Sequence, residues 1–486
     1  MNRLDPLFDP RGVILAGASA HPGKFGFVTL HNILSCGYTG RVFPVSLEGG
    51  EVLGLPVASS VDDLPDGEAD LVFVCTPQAA NLELLRACSR RGVRAAFVAT
   101  AGYGEAGPEG ARAQAELVAL ADELGILLAG PNGQGIVSTP SALCAQIVAP
   151  YPPAGRIGIV SQSGNFVSSF LNLSIQSEVG VSRAVSAGNA ASITVADYLE
   201  YLADDPATAV SLAYVESVGD GRKFYDQARR TTARQPLVVL QGGTTAGGSR
   251  AAASHTGSLA SDARVFAGMC RQAGISQAAT VEEAFEAAAT FATQPLPAGP
   301  NVVVLTTVGG WGVATADAIS RSDLTLAALP DDLRADLDAI LPPRWSRNNP
   351  IDLAGSETRD TVPAVLELVA RHPAVDAVIF LGLGIQSNQA QMMRSGAFYA
   401  EHGLERMVEF HEAQDARYAE VAAAISDATG KPILVATELA VTDPDNPGPR
   451  AVRATGRYCA SSATRAVTAL EHLWHYARHR SRTDVA

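Results

Sequence analysis

The chain has 486 residues, 47% of them hydrophobic but only 6% aromatic, and its 36 basic against 50 acidic residues give a formal charge of −14. That length exceeds one ordinary core, and a composition rich in alanine, valine, leucine and glycine suits α/β layers whose parallel strands are buried on both faces. The acidic balance, with no basic block, excludes nucleic acid and anionic membrane as natural partners. Cysteines 36, 75, 88, 144, 270 and 459 show no CxxC spacing, so neither a disulfide framework nor a zinc site is expected. No leader pattern opens the sequence and no apolar run approaches membrane-spanning length, which points to the cytoplasm.

Three times along the chain a short apolar run enters a small-residue turn and then a helix-forming stretch. The first is Val13 to Ala16 entering Gly17-Ala18-Ser19, the second Ile157 to Val160 entering Ser161-Gln162-Ser163-Gly164, and the third Val302 to Leu305 entering Thr306-Thr307-Val308-Gly309-Gly310. Proline- and glycine-rich stretches precede the second and third, giving domains at 1–148, 154–293 and 301–486. In the first, strands at Gly40 to Pro44, Leu71 to Cys75, Arg94 to Thr100 and Ile126 to Ala129 alternate with helices such as Ala79 to Arg90 and Ala111 to Leu124. This is the rhythm of a doubly wound sheet, whose ligands sit beyond the strand C-termini. The polar tract from Gln386 to Gly430 reads as helical, and Ser462 to Arg480 as an amphipathic helix with Ala466, Leu470, Leu473 and Tyr476 inward. Its His472, His475 and His479 lack an accompanying acidic ligand run and read as a solvated face, so no metal is assigned.

A strand that ends in small residues and feeds a helix exposes backbone N–H groups at the positive end of the helix dipole, a ready anion site. Gly17-Ala18-Ser19 with Pro22-Gly23-Lys24-Phe25-Gly26 departs from the dinucleotide GxGxxG, and Glu48 is only a remote ribose ligand, which disfavours NAD. Ser161 to Asn165 lacks the GxSxG of a nucleophile elbow and reads as a helix N-terminus for an anion, as does Gly309-Gly310-Trp311-Gly312. His255 stands in Ala-Ala-Ser-His-Thr-Gly-Ser behind a Gly-rich approach, Gln241 to Arg250. Surrounded by small residues, its imidazole has room to act as a covalent carrier of a phosphoryl or acyl group.

Together and in order, these motifs resemble the NDP-forming acyl-CoA synthetases, the superfamily that includes succinyl-CoA synthetase. The resemblance runs through Gly17-Ala18-Ser19, Phe43-Pro44-Val45, Ala101 to Glu105, Gly130-Pro131-Asn132, Ser161 to Asn165, Ser186 to Asn189, Tyr214-Val215-Glu216, Ser254 to Gly257, Gly309 to Gly312 and Asn349 to Leu353. It implies a Rossmann-like CoA-binding domain followed by two flavodoxin-like doubly wound domains, with coenzyme A as substrate. His255 matches the phosphohistidine and Glu216 the acid that orients it. CoA is then expected on Gly17, Ser19, Gly23, Lys24, Gly26, Val45, Ser46, Cys75, Thr76, Pro77, Ala101, Gly102 and Asn132. Phosphate and acyl groups are expected on Ser163, Gly164, Asn165, Gly188, Asn189, Gly309, Gly310, Trp311 and Gly312, with two helix N-termini serving the one histidine.

The chain departs from the family where the usual Asn-Pro-Lys after the second strand reads Ser46-Leu47-Glu48, removing a phosphate-pairing lysine. The usual Pro-Asn-Cys reads Pro131-Asn132-Gly133, the usual Lys-x-Gly-Arg before the histidine reads Gln241 to Thr244, and Trp311 replaces a common proline, which would partly fill the acyl pocket. Nothing in the 486 residues resembles the ATP-grasp module of this family. The resemblance therefore implies an α-type subunit in a homo- or hetero-oligomer with a separate ATP-grasp β-type partner, which would hold ADP or ATP and Mg2+, acting on a small carboxylic acid or its acyl-CoA. A non-catalytic CoA-binding regulatory protein and an NAD-binding oxidoreductase remain as rival readings.

Overall fold

The computed structural model describes residues 2–148, 150–245, 247–248, 250, 262–353 and 359–483. His255 lies outside the described residues. The chain divides into two compact units, Met1–Gln176 with Gly180–Ala284, and Ser177–Val179 with Phe285–Ala486.

The first unit holds two α/β sheets. Its first strands, β1 (Gly12–Ala16) and β2 (Arg41–Val45), are followed by a small hairpin of β3 (Glu51–Val52) and β4 (Leu55–Pro56), then β5 (Leu71–Val74), β6 (Ala95–Val98) and β7 (Leu127–Ala129). The first sheet has the order β2-β1-β5-β6-β7, all parallel. Strands β1, β5 and β6 are wholly buried, because alternate residues face two apolar layers: Val13, Leu15 and Phe73 line one, Ile14, Val72 and Val98 the other. Phe73 stacks on Phe97 at 5.1 Å, each fully buried and worth roughly 1.5–3 kcal/mol. The order reverses between β1 and β5, and such a switch point opens a crevice at the strand C-termini.

The second sheet contains β8 (Gly135–Ser138), β9 (Leu143–Gln146), β10 (Ala154–Ser161), β11 (Val181–Ser186), β12 (Val210–Val215), β13 (Leu237–Gln241) and β14 (Ser276–Ala278) in the order β14-β13-β12-β10-β11-β8-β9. Five strands are parallel, while the β8–β9 hairpin closes antiparallel on β11. One apolar cluster runs through both sheets, joining Leu15 and Phe97 to Val160, Val185 and Val239. Arg183 on β11 adds a polar tie. Its side chain, 6% exposed, pairs with Asp9 at 2.6 Å and Asp205 at 3.2 Å, donates to Ser138 Oγ, and lies 5.9 Å from the Phe8 ring and 6.0 Å from Tyr201. A buried guanidinium is tolerable only when paired in this way.

The second unit carries one parallel sheet of β15 (Asn301–Thr306), β16 (Thr325–Leu326), β17 (Ile351–Asp352), β18 (Ala377–Leu381), β19 (Ile433–Ala436) and β20 (Cys459–Ala460). Its order is β16-β15-β18-β19-β20, with β17 beside the C-terminal end of β15. Asn349 explains the Asn-Pro motif structurally: its buried amide accepts from Val304 N at 2.9 Å and donates to the carbonyls of Val302 and Ala327, filling the gap between strands. Helices Ile385–Arg394 and Leu404–Thr429 occupy the polar tract, and Ala463–Thr483 buries Ala466, Leu470, Leu473 and Tyr476. One of the three histidines of that last helix has acidic neighbours that the sequence did not reveal. His475 Nε2 meets Asp323 Oδ2 at 2.9 Å, Glu471 accepts from Asp323 N, and Arg478 stands 3.8 Å from the same Asp323 oxygen, an ion-pair network at the surface. Among the described residues, no helix is long and apolar enough to cross a membrane.

Candidate functional site

A cleft of about 650 Å³ opens at the β1–β5 switch point. Gly17, Ser19, Lys24, Val45, Ser46, Cys75, Thr76 and Pro77, all expected at the coenzyme site, line it. The turn after β1 is compact: the N–H groups of Gly17 and Ala18 both reach Val45 O at 3.0 Å, and Gly17 has φ +88 against the Cys75 backbone. Only glycine fits there without strain. Helix Phe25–Ser35 leaves the turn with Gly26 packed directly on the Gly17 carbonyl, where a Cβ would overlap it. Burial pushes the Cys75 thiol up to about 12, so it stays protonated and unreactive beside the ligand space.

The rest of the cleft was not legible in sequence. Ser59, Ser60, Val61 and Asp62 form one wall, and Glu83, Leu84, Ala87 and Arg90 of helix Asn81–Arg90 form the other. The helical spacing of the second group carries a signal, but only once the helix is known to face the end of β2. Five expected coenzyme residues do not line this cleft, Gly26 behind the turn being one. Gly23 donates its N–H to His21 Nδ1, Ala101 and Gly102 belong to the next loop, where Gln78 Nε2 donates to Gly102 O at 3.0 Å, and Asn132 lies with the second sheet's loops.

Asn132 joins a polar cluster that ties the first sheet's loops to the second's. Its Nδ2 donates to Asn189 Oδ1 at 3.3 Å, and Asn189 Nδ2 donates to Glu105 Oε2 at 2.6 Å and Gln114 Oε1 at 2.9 Å. Glu105 Oε1 accepts from the N–H groups of Gly102 and Tyr103. Burial opposes its ionisation, yet Asn189 and these N–H groups prevail and hold its carboxyl below the usual range. Gly188, at φ +55, presses on the Pro131–Asn132 backbone, where a side chain would overlap the Pro131 carbonyl.

Ser163, Gly164, Gly188, Asn189 and Glu216 share the C-terminal rim of the second sheet, at the ends of β10, β11 and β12. Ser161 Oγ accepts from Ser163 N at 3.1 Å and donates to Ser163 O at 2.6 Å, folding the turn that opens helix Gly164–Ser177. Gln134 lies across that helix start, donating to Asn165 Oδ1 and accepting from Ser168 Oγ. Glu216 is held from two sides. Tyr214 Oη donates to Glu216 Oε1 at 3.1 Å, and Gln162 Oε1 accepts the N–H groups of Glu216 at 2.6 Å and Ser217 at 3.1 Å. Burial, then the Glu216 charge, keeps the Tyr214 hydroxyl protonated well above its ordinary range. Gln134, Gln162 and Tyr214 carry no charge, which is why a search for charged groups passes over them.

In the second unit the same turn recurs. Thr306 Oγ1 accepts from Val308 N at 2.9 Å and donates to Val308 O at 2.8 Å, and helix Gly309–Ser320 follows. Asp352 Oδ2 stands beside Gly309 at its N-terminus, and Gly312 packs on Thr306 and Pro350. Trp311 packs, partly buried, on the apolar layer that includes Ile319 and Leu470.

The switch-point cleft is thus followed along the chain by two further, mainly parallel sheets, each with a small-residue helix start at a strand end. Three family profiles cover most of the chain: a CoA binding domain over residues 11–139, a succinyl-CoA ligase like flavodoxin domain over 154–291 and a ligase-CoA domain over 302–393. The sequence is 36% identical, over 77% of this chain and 81% of that one, to the α subunit of an ADP-forming acetate–CoA ligase II from Pyrococcus furiosus. It is 30% identical, over 77% of this chain but 54% of the other, to an ADP-forming 4-hydroxybutyrate–CoA ligase of Nitrosopumilus maritimus. A dinucleotide-forming acetyl-coenzyme A synthetase of Ca. Korarchaeum cryptofilum, solved with phosphate and ADP, superposes with a TM-score of 0.84 at 30% identity over the whole of both chains. The chain belongs to the ADP-forming acyl-CoA synthetase family.

Proposed function

We propose that the chain is the α-type subunit of an ADP-forming acid–CoA ligase, interconverting acyl-CoA, phosphate and ADP with carboxylic acid, CoA and ATP. The observation that carries the reading is the switch-point cleft, whose wall holds eight of the thirteen residues expected to bind CoA. Its volume suits part of a coenzyme-sized ligand, and its Gly17 turn lets the ligand approach the backbone without side-chain obstruction. Residues 1–148 would bind CoA, 154–293 would carry the histidine, and 301–486 would supply the second phosphate-holding turn through Gly309, Gly310, Trp311 and Gly312.

In this reading a phosphate oxygen attacks the thioester carbonyl, forming acyl phosphate as the C–S bond breaks and CoA takes a proton. A nitrogen of His255 then takes the phosphoryl group and frees the carboxylate. Glu216, oriented by Tyr214 and Gln162, accepts the N–H of the other ring nitrogen, fixing the tautomer and offsetting the charge that develops on the ring. Ser163, Gly164 and Asn165 present the helix dipole to the phosphate, with Gly188 and Asn189 on the same rim. An ATP-grasp β-type partner in a hetero-oligomer would hold Mg2+ and nucleotide and receive the phosphoryl group. The α-subunit names of the Pyrococcus furiosus relatives support a separate partner. Reconstitution with such a partner and a panel of acyl-CoAs tests the proposal: ATP should form only when thioester, phosphate and ADP are all present, and activity that survives His255→Asn would overturn it.

A further inference from the structure

Two thiols far apart in the sequence meet where the first unit's two sheets adjoin. β9 is the last strand of the second sheet, and helix Phe25–Ser35, which leaves the Gly17 turn of the first, is tied to it. Asn32 Nδ2 donates to Gln146 O at 2.8 Å, and Asn32 Oδ1 accepts from Tyr151 Oη at 2.8 Å. One turn beyond Asn32, Cys36 caps the helix with its N–H on Asn32 O, and two residues before Gln146, on the same side of the strand, stands Cys144. The Cys144 thiol donates to the Cys36 sulfur. Cys36 is half-buried and Cys144 is 5% exposed, and a side chain at the adjoining Gly37 would meet nothing within 4 Å, so the approach to Cys36 is open.

The pair is asymmetric. The hydrogen bond from Cys144 outweighs burial and lowers the Cys36 thiol below its ordinary range, while the same bond and burial push Cys144 up. Burial pushes Cys75, Cys88, Cys270 and Cys459 up to about 12. Of the six cysteines, Cys36 alone therefore combines thiolate character with access from solvent. A disulfide forms only where two sulfurs can approach without moving the backbone, and thiols already in hydrogen-bonding contact meet that condition.

We infer that Cys36 and Cys144 are an oxidative modification site, at which a peroxide converts the two thiols to a disulfide with Cys36 as the attacking sulfur. The Cys36 thiolate takes one peroxide oxygen as the O–O bond breaks and hydroxide leaves, which gives a sulfenic acid. The Cys144 sulfur then displaces that oxygen, which departs as water with the Cys144 proton. Hydroxide takes up the proton that Cys36 had released, so two thiols and one peroxide give one disulfide and two waters. The bond ties helix Phe25–Ser35 covalently to β9, and the site stands apart from the coenzyme reading. Peroxide treatment of the reduced full chain, followed by iodoacetamide and digestion without reductant, tests it. Mass spectrometry should find the Cys36 and Cys144 peptides joined with the loss of two hydrogens and parted again by dithiothreitol, with the other cysteines alkylated. Cys36 should be consumed at least about tenfold faster than Cys75, Cys88, Cys270 and Cys459. In Cys144→Ser, Cys36 should stop at a sulfenic acid that dimedone traps, and in Cys36→Ser, Cys144 should stay a thiol. The inference fails if the wild type yields no joined peptide, if Cys36 links to another cysteine, or if Cys144 is oxidised undiminished in Cys36→Ser.

Discussion

Glu216 owes its position to two neutral side chains, Tyr214 and Gln162, which hold one carboxylate oxygen and the local backbone. Tyr214→Phe removes the first and leaves the ring, which packs on Phe166 at 4.3 Å between centroids. Phosphoryl transfer should slow by about tenfold, while the melting point moves by no more than about 1 kcal/mol of stability implies; an unchanged rate would detach Tyr214 from Glu216's role. Away from the site, Asp70 is 1% exposed and binds Arg11 at 2.7 Å and Arg94 at 2.9 Å. Burial works against its charge, but both arginines prevail and hold its pKa at about 2 against 3.8. A depressed carboxyl stabilises the fold above its unfolded pKa and loses that contribution as pH falls through the folded one. Stability measured between pH 5 and 2 should therefore fall, with roughly 1–2 kcal/mol due to this residue; in Asp70→Asn that part of the slope should be absent.

The elements that sequence made legible are those whose chemistry is local. Strands β5 and β7 and helices Asn81–Arg90 and Ala463–Thr483 stand within a residue or three of their expected bounds, because continuous apolar runs and 3.6-residue spacing declare themselves without a partner. Hairpin β8–β9 was missed, since its two four-residue strands become strands only by pairing with each other and with β11. The cleft was half legible for the same reason: the glycine turn and the ends of β1, β2 and β5 announce an anion site, whereas Asp62 and Arg90 reach it from elements whose placement depends on the packed sheet. Gly26 shows how closely helix and turn are matched. Gly26→Ala would set a methyl against the Gly17 carbonyl and push helix Phe25–Ser35 off the turn. CoA affinity should drop by on the order of tenfold with a loss of about 1–3 kcal/mol in stability, and calorimetry with a denaturant melt reads both; full CoA affinity would mean the turn does not hold the coenzyme.

At the scale of the whole molecule, the two units repeat one local device. A hydroxyl at a strand end, Ser161 in one and Thr306 in the other, folds back on the second residue after it and starts a glycine-led helix. The repeat explains why a sequence of three similar runs reads as a succession of doubly wound sheets, and why charge and composition, acidic throughout, say so little about the chemistry. On the proposed reading, what they leave open turns on His255. By that reading the chain, incubated with an ATP-grasp β-type subunit, phosphate and an acyl-CoA turned over in the reconstituted assay, then quenched in alkali and digested, should yield by mass spectrometry one added phosphoryl group on the peptide containing His255. The label should fall sharply in Glu216→Gln and vanish in His255→Asn. Phosphoryl on another peptide, or label undiminished in His255→Asn, would contradict the account.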